Sequence, residues 1–588
     1  MKDPIISEHG VLLHHTNITS KAAEKTIHSI NDIDLSPKPG KKYWNDCHRE
    51  LREEFIYFLL VDRFHDSNKR HSADFDVRHS GYGDDAQLSK LCGGTLRGII
   101  SNLTYIKNLG CTAIWLSPVF KNNPESYHGY AIENYLEIDE RFGTKDDLEE
   151  LVVQAHQNDM RVFLDIVLHH TGDNWNYPEG NPYYYHEGTE FDFGEWRYPD
   201  RPVPIELKNP ALYGRKGQIR NFDDYPETRD GDFFSLKAFK NDESREAIHV
   251  QKILTAIHCY WIKELDIDGF RLDAVKHMGA LSISRFCSYV REYAYSLGKK
   301  NFFLFGEIVG ADSMVSNYLG PKTLTAFNDQ NIYFGLNSAL DFQLHFALEG
   351  VIKGKDSPGK LIERYTELQK NALDRGEYGE FLVTFLDNHD QIGDEFKHRF
   401  GYNAEPQQII AGAAFLLCAL GTPCIYYGTE QGLDGCGRGD RYIRECMFNP
   451  NNKTTNLLNQ QSEIYQAIAS IAQFRKESNV LKFGRMFMRE TSKDGIHFHL
   501  PECHKCILAF SRILYDQEIV FVFNSSMSDV KEEYILVDCQ LNRDKKVMKP
   551  LYGYKSNVEI MHSEIPSNPM CYIKLYLKPM QLVILKNY

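Results

Sequence analysis

From residue 56 to about 430 the chain alternates short, nearly continuous apolar runs with longer amphipathic stretches, and few folds accommodate that rhythm. A strand buried on both faces reads as an unbroken apolar run. Its parallel neighbour is reached only through a crossover of a dozen or more residues, usually a helix. Seven such runs predict strands at 56–61, 113–116, 162–167, 268–272, 302–305, 381–385 and 424–427, and an eighth, sixth in order, is expected near 322–328. The helical stretches fit between them. Val250, Ile253, Leu254, Ile257 and Trp261 lie on one face at helical spacing, and AGAAFLLCAL at 411–420 is apolar enough to lie against a sheet. Eight such units make a (β/α)8 (TIM) barrel.

Two departures break the repetition. Residues 171–240, rich in Tyr, Trp, Asp and Gly, are too long for an ordinary strand-to-helix loop and read as an excursion domain over the C-terminal face of the barrel. Its Trp175, Tyr183, Tyr184, Tyr185 and Trp196 are expected mainly in that domain's own core, with sugar stacking as the other use. After about 475 the pattern becomes short alternating runs such as CILAFSRI and EIVFVFNSS, which predict an antiparallel β-sandwich. The expected organisation is an N-terminal extension at 1–50, a barrel at 51–170 and 241–474, the excursion at 171–240 and the sandwich at 475–588. The extension, with its SPKPGKKYW turn, is either an arm packed on the barrel or a small partner-binding element.

The formal net charge of -14, with no basic run, argues against nucleic acid or an anionic membrane as partner. No apolar stretch reaches the roughly 18 to 20 residues needed to cross a bilayer. The first residues show no apolar leader, and 13 scattered cysteines are an odd set for a secreted chain, so the expected location is cytoplasmic. Cys503 and Cys506 form a C-x-x-C without a second pair at metal-binding spacing, and are read as a turn. No sequence feature assigns an oligomeric state.

In a parallel barrel the strand ends deliver chemistry to one face. Here acids and histidines gather at or just after the run ends: Asp165, His169 and His170 for the third run, Arg271, Asp273, Lys276 and His277 for the fourth, Glu307 for the fifth, and Asp387, His389 and Asp390 for the seventh. Like charges converging in a cleft raise one another's pKa, an arrangement that usually signals a task. Glycosidic cleavage needs this tension, because one carboxylate must stay ionised to attack while another stays protonated to donate.

These residues carry a specific resemblance. DIVLHH at 165–170, GFRLDAVKH at 269–277, GEI at 306–308 and FLDNHD at 385–390 resemble, in order and spacing, the motifs of the α-amylase family of glycoside hydrolases. TAIWLSPVF at 112–120, YHGY at 127–130, ERFGT at 140–144 and IYYGTEQG at 425–432 support it, and together the motifs cover about 55–450. The resemblance implies Asp273 as nucleophile, Glu307 as general acid/base and Asp390 as the third carboxylate, which binds sugar hydroxyls. It further implies Arg271 holding Asp273 ionised, His170 and His389 donating to sugar hydroxyls, Tyr130 as a platform beneath the sugar with His128 beside it, and Lys276 and His277 on the leaving-group side. The implied activity is retaining endo- or exo-hydrolysis of α-1,4-glucosidic bonds in starch, glycogen or malto-oligosaccharides, with transglycosylation or isomerisation, or glucan binding without turnover, as alternatives. No cofactor is needed for that chemistry. The family often holds a structural calcium through an Asn before the first motif's histidine, but His169 stands there, leaving Asp173, Asp223 or Asp224 as compensating donors and the ligand set unknown.

Overall fold

The computed structural model describes residues 26–45, 48–66, 88–178, 183–324, 331–375, 382–393, 395–449, 456–563 and 569–588. Eight parallel strands form its centre: Ile56–Leu59, Ala113–Leu116, Arg161–Ile166, Gly269–Leu272, Phe303–Gly306, Ser338–Ala339, Val383–Phe385 and Thr422–Tyr426. The first pairs with both the second and the eighth, Ile56 lying opposite Ala113 and Cys424. A parallel bridge between Leu340 and Val383 joins the sixth to the seventh, so the sheet closes on itself. Every residue of the first three strands is buried, which is why they read as continuous apolar runs.

The sixth strand is not where the apolar pattern predicts it. Pro321–Leu324 pairs antiparallel with Asn331–Phe334 in a hairpin, while the rest of the expected stretch, 325–328, lies outside the described residues, as does Phe381 of the expected seventh strand. The barrel instead takes Ser338–Ala339, in register with Phe305 and Gly306. Two small residues held by the fifth strand leave no apolar run to read.

The amphipathic stretch at 250–261 lies within the helix Arg245–Leu265, where the Ser244 hydroxyl caps the N-terminus by accepting the Ala247 N–H and Asp266 ends the helix at a left-handed φ of 64°. All five residues of its expected apolar face are buried. The helix Pro406–Cys418 is buried from Gln408 onward because it is covered twice, by the barrel and by the C-terminal sheet, whose Phe510 and Phe521 meet Phe415 edge-on at 5.4 and 6.0 Å. That sheet has nine antiparallel strands between Arg485 and Asn587. Alternation divides its faces: Leu508, Phe510, Phe521 and Phe523 join the barrel core, whereas Ile507, Ala509, Val520 and Val522 form a second core with Ile573 and Leu575.

The N-terminal arm packs on the barrel where it is described. Trp44 stacks on His156 with ring centroids 4.4 Å apart, its backbone N–H donates to Asp266 at 2.8 Å, and Lys38 pairs with Glu264 at 2.8 Å. Residues 1–25 of that extension lie outside the described residues. The excursion is built on two short antiparallel strand pairs, His170–Thr171 with Lys237–Ala238 and Trp175–Asn176 with Glu195–Trp196. Its aromatic residues are its own core: Trp175 and Tyr213 are fully buried, Tyr183 packs on Tyr177 at 4.8 Å, and Trp196 packs on Phe193 at 5.0 Å. Tyr185 is buried too, and Tyr184 stays exposed. Disulfides join Cys92 to Cys446 and Cys503 to Cys506, the latter within the turn expected there.

Candidate active site

The C-terminal ends of the strands converge on one guanidinium. Arg271, on the fourth strand, reaches Asp165 at 2.9 Å and Asp273 at 2.7 Å through Nη1, and Glu307 at 2.8 Å through Nη2. Asp165 comes from the third strand, Asp273 from the residue after the fourth, and Glu307 from the residue after the fifth. Alternation along the fourth strand places Arg271 and Asp273 on the same side of the sheet, toward the barrel interior. The chain then turns sharply: Ala274 adopts a left-handed φ of 50°, uncommon for a residue other than glycine. That turn points the Ala274 N–H at Glu307 Oε2, 3.1 Å away.

Three buried acids around one cation cannot all be ionised without cost. Burial pushes Asp273 up to about 7, with Arg271 pulling it down and Asp165 and Asp390 adding repulsion. Burial likewise raises Glu307 to about 7, opposed by Arg271 and reinforced by Asp273. The cluster therefore retains a proton near neutrality, shared among groups that titrate together.

Asp390 lies beside this group and is held from two sides. Arg444 donates to its Oδ1 at 2.7 Å and His389 Nε2 lies 3.2 Å from its Oδ2. Arg444 also donates through Nε to the His389 carbonyl at 2.7 Å, fixing the loop that carries both residues. The Tyr130 hydroxyl donates to Asp165 at 2.9 Å and lies 2.7 Å from His389 Nε2. Its ring is nearly parallel to those of His389, at 5.4 Å, and His128, at 5.7 Å. His128 Nδ1 accepts the Tyr130 N–H at 3.1 Å, and His170 Nε2 donates to the Tyr130 carbonyl at 3.2 Å. Burial depresses these imidazoles, His128 to about 3 and His170 to about 4, with His389 well below its ordinary value. At neutral pH they are uncharged groups that place hydrogen bonds.

Asp273, Glu307, Asp390, Arg271, His170, His389, Tyr130 and His128 are thus brought together. Lys276 and His277 sit instead at the seam with the excursion. Lys276 forms an ion pair with Asp223. His277 Nδ1 donates to the Thr228 carbonyl at 2.6 Å, its ring packs on Phe233 at 4.5 Å, and burial lowers it to about 4. Two further residues belong to the constellation. Asp165 is visible as a strand-end acid but has no role in the motif reading, and Arg444 has no pattern in RYIRE to mark it, because the partners that place it at the site, His389 and Asp390, lie on a different loop.

The donors for a structural calcium do not fit. The His169 ring packs against Phe233 at 4.7 Å, with Nε2 directed at the Arg229 carbonyl, and imidazole is a poor partner for a hard cation. Asp173 is paired with Lys237 and Arg197, each within 2.9 Å, Asp223 is paired with Lys276, and Asp224 is exposed. Among the described residues no group of three or more His, Cys, Asp or Glu is arranged around a metal position. Cavity size does not locate the chemistry either. A cavity of about 690 Å³ opens at the opposite end of the barrel, beside Arg161, Phe163 and Phe303 at the strand starts, and the three carboxylates are not part of its wall.

A parallel eight-stranded barrel that directs paired, proton-sharing carboxyls into a buried site has the build of a glycoside hydrolase. The family described as "Alpha amylase, catalytic domain" matches residues 58–456, and the chain belongs to the α-amylase family. It is 30% identical over 500 residues to an α-amylase of Streptomyces lividans, covering 74% of this chain and 52% of that one. It is 29% identical over 472 residues to a cyclomaltodextrin glucanotransferase of Klebsiella oxytoca, covering 75% and 67%. The crystal structure of an Anoxybacillus α-amylase superposes with a TM-score of 0.67 at 25% identity, covering 92% of this chain and 99% of that one. The chain spans about half the length of the Streptomyces relative.

Proposed function

We propose that this chain hydrolyses α-1,4-glucosidic bonds of starch, glycogen or malto-oligosaccharides with retention of configuration. The observation that carries the reading is the single buried Arg271 touching both Asp273 and Glu307. It stabilises a carboxylate on Asp273 while leaving the crowded cluster a proton, which Glu307 holds as the acid. In the first displacement Glu307 gives that proton to the glycosidic oxygen as Asp273 attacks the anomeric carbon, and the leaving chain departs as an alcohol. In the second, water attacks the same carbon, its proton passes to Glu307, and Asp273 is released as a carboxylate. Asp390, oriented by Arg444, accepts from hydroxyls of the distorted sugar. Tyr130 supports the ring face, and His128, His170 and His389 supply uncharged hydrogen bonds.

A second reading, transfer to an acceptor sugar, is favoured by one feature. Phe222 packs against His277 and Phe234, and Phe234 is 71% exposed on the excursion side of the mouth. An acceptor stacked on those rings would intercept the glycosyl intermediate ahead of water. The glucanotransferase among the relatives is compatible with the same first step.

Products from amylose, maltoheptaose, sucrose and trehalose, followed over time, separate these outcomes. Shorter chains with an equal gain in reducing ends support hydrolysis. Longer chains or rearranged disaccharides without that gain support transfer or isomerisation. Glucan binding without turnover, unaltered by Asp273→Asn, would leave a binding protein.

A further inference from the structure

The excursion is fastened to the barrel mouth around a buried lysine. Lys237 is 5% exposed and sits on the returning strand of the antiparallel pair that sets His170 opposite Ala238 and Thr171 opposite Lys237. Its ammonium lies 2.9 Å from Asp173 Oδ1 and donates to the Ser235 carbonyl at 2.8 Å. The same nitrogen stands over the faces of Trp175 and Tyr177, 5.3 and 5.6 Å from the ring centroids. A buried ammonium is tolerated only where charge and hydrogen bonds replace water, and here a carboxylate, a carbonyl and two aromatic faces do so.

The surrounding charges balance without a metal. Asp173 turns its other oxygen to Arg197, 2.8 Å away. Asp232 accepts from Tyr177 Oη at 2.7 Å and from the Ala238 N–H at 2.8 Å. Burial raises Asp232 to about 6, with the Lys237 charge as the largest opposing influence. Two carboxyls thus face one ammonium and one guanidinium, and a divalent ion placed among them would be repelled by both cations. His169 already lacks the oxygen donor that a hard cation prefers.

We propose that the Lys237 ammonium is the resident cation of this excursion, taking over the structural task of a bound calcium, so that the folded chain requires no calcium. Its consequence reaches the substrate site through the chain itself. Lys237 and Ala238 hold the strand carrying His170 and Thr171, so loss of the ammonium loosens the backbone that aims His170.

The test needs no assumption about the reaction, and its outcome is independent of the substrate reading above. Purified wild-type protein is analysed for bound metal before and after dialysis against EGTA, and melted in EGTA and in millimolar CaCl2. The expected result is no stoichiometric calcium and the same Tm in both. A stoichiometric calcium whose removal lowers Tm would overturn the proposal. In parallel, Lys237→Met should lower Tm by about 5 °C, since Asp173 loses one of its two cations and the buried Asp232 loses the charge that opposes its desolvation, and open the excursion to limited proteolysis. Adding Asp173→Asn to Lys237→Met should recover part of that loss, as expected for a directly coupled pair. A Lys237→Met variant as stable and as protease-resistant as the wild type would equally refute it. Should that variant fail to fold, the wild-type comparison still decides.

Discussion

Arg271 donates to Asp273 through one nitrogen and to Glu307 through another, so the two carboxyls titrate as partners rather than as independent acids. The sign of the pH dependence follows from the roles proposed for them. A nucleophile works above its pKa and an acid donor below its own; burial raises Glu307, so donor activity persists toward neutrality and is lost as pH rises through the raised value. The alkaline limb of kcat/KM is therefore expected from this pair, and Glu307→Gln should remove it while lowering kcat by about 10²- to 10⁴-fold. The buried histidines add no limb near their ordinary value, because His128 and His170 are pushed to about 3 and 4. Arg444→Leu frees Asp390 from its buried donor and should lower kcat/KM by about 10- to 100-fold, read from initial rates, with folding checked by an unchanged circular dichroism spectrum. The three acids were legible as strand-end acids of a parallel barrel, and were told apart from Asp165 and Asp387 only by the resemblance of their motifs to the family. Arg444 was not, since its function exists only once the loop after the eighth strand folds against the loop after the seventh.

At the scale of elements, legibility followed burial. The first three strands, buried throughout, announced themselves as apolar runs, and the helix at 245–265 did so through its stripe of buried residues. Ser338–Ala339 offered neither signal, because its place depends on backbone pairing with Phe305 and Gly306 rather than on side-chain character. Docking of the C-terminal sheet also rests on a feature that periodicity does not reveal. Arg512, 1% exposed within a mostly apolar strand, donates to the Cys418 carbonyl at 2.8 Å and the Gly484 carbonyl at 2.7 Å, placing a cation at the C-terminal end of the helix Pro406–Cys418. Arg512→Leu leaves those carbonyls without this donor, and chemical denaturation should show a loss of about 3 kcal/mol.

For the whole molecule, the barrel supplies rigid strand ends, the excursion closes one side of the mouth, and the C-terminal sheet buries a helix that would otherwise expose an apolar face. One bond spans much of the chain: the disulfide between Cys92 and Cys446, 354 residues apart, ties the segment after the first strand to the segment after the eighth, beside Arg444. A reducing cytoplasm would favour thiols at these positions. Peptide mapping without reduction should recover Cys92 linked to Cys446; alkylation of both would instead agree with the cytoplasmic expectation drawn from the cysteine count. The central claim is the double displacement by Asp273 and Glu307, and the configuration of the first product tests it most directly. Proton NMR during early cleavage of maltoheptaose should show the α-anomer forming first and the β-anomer appearing only by mutarotation; a β-anomer released first would contradict the account.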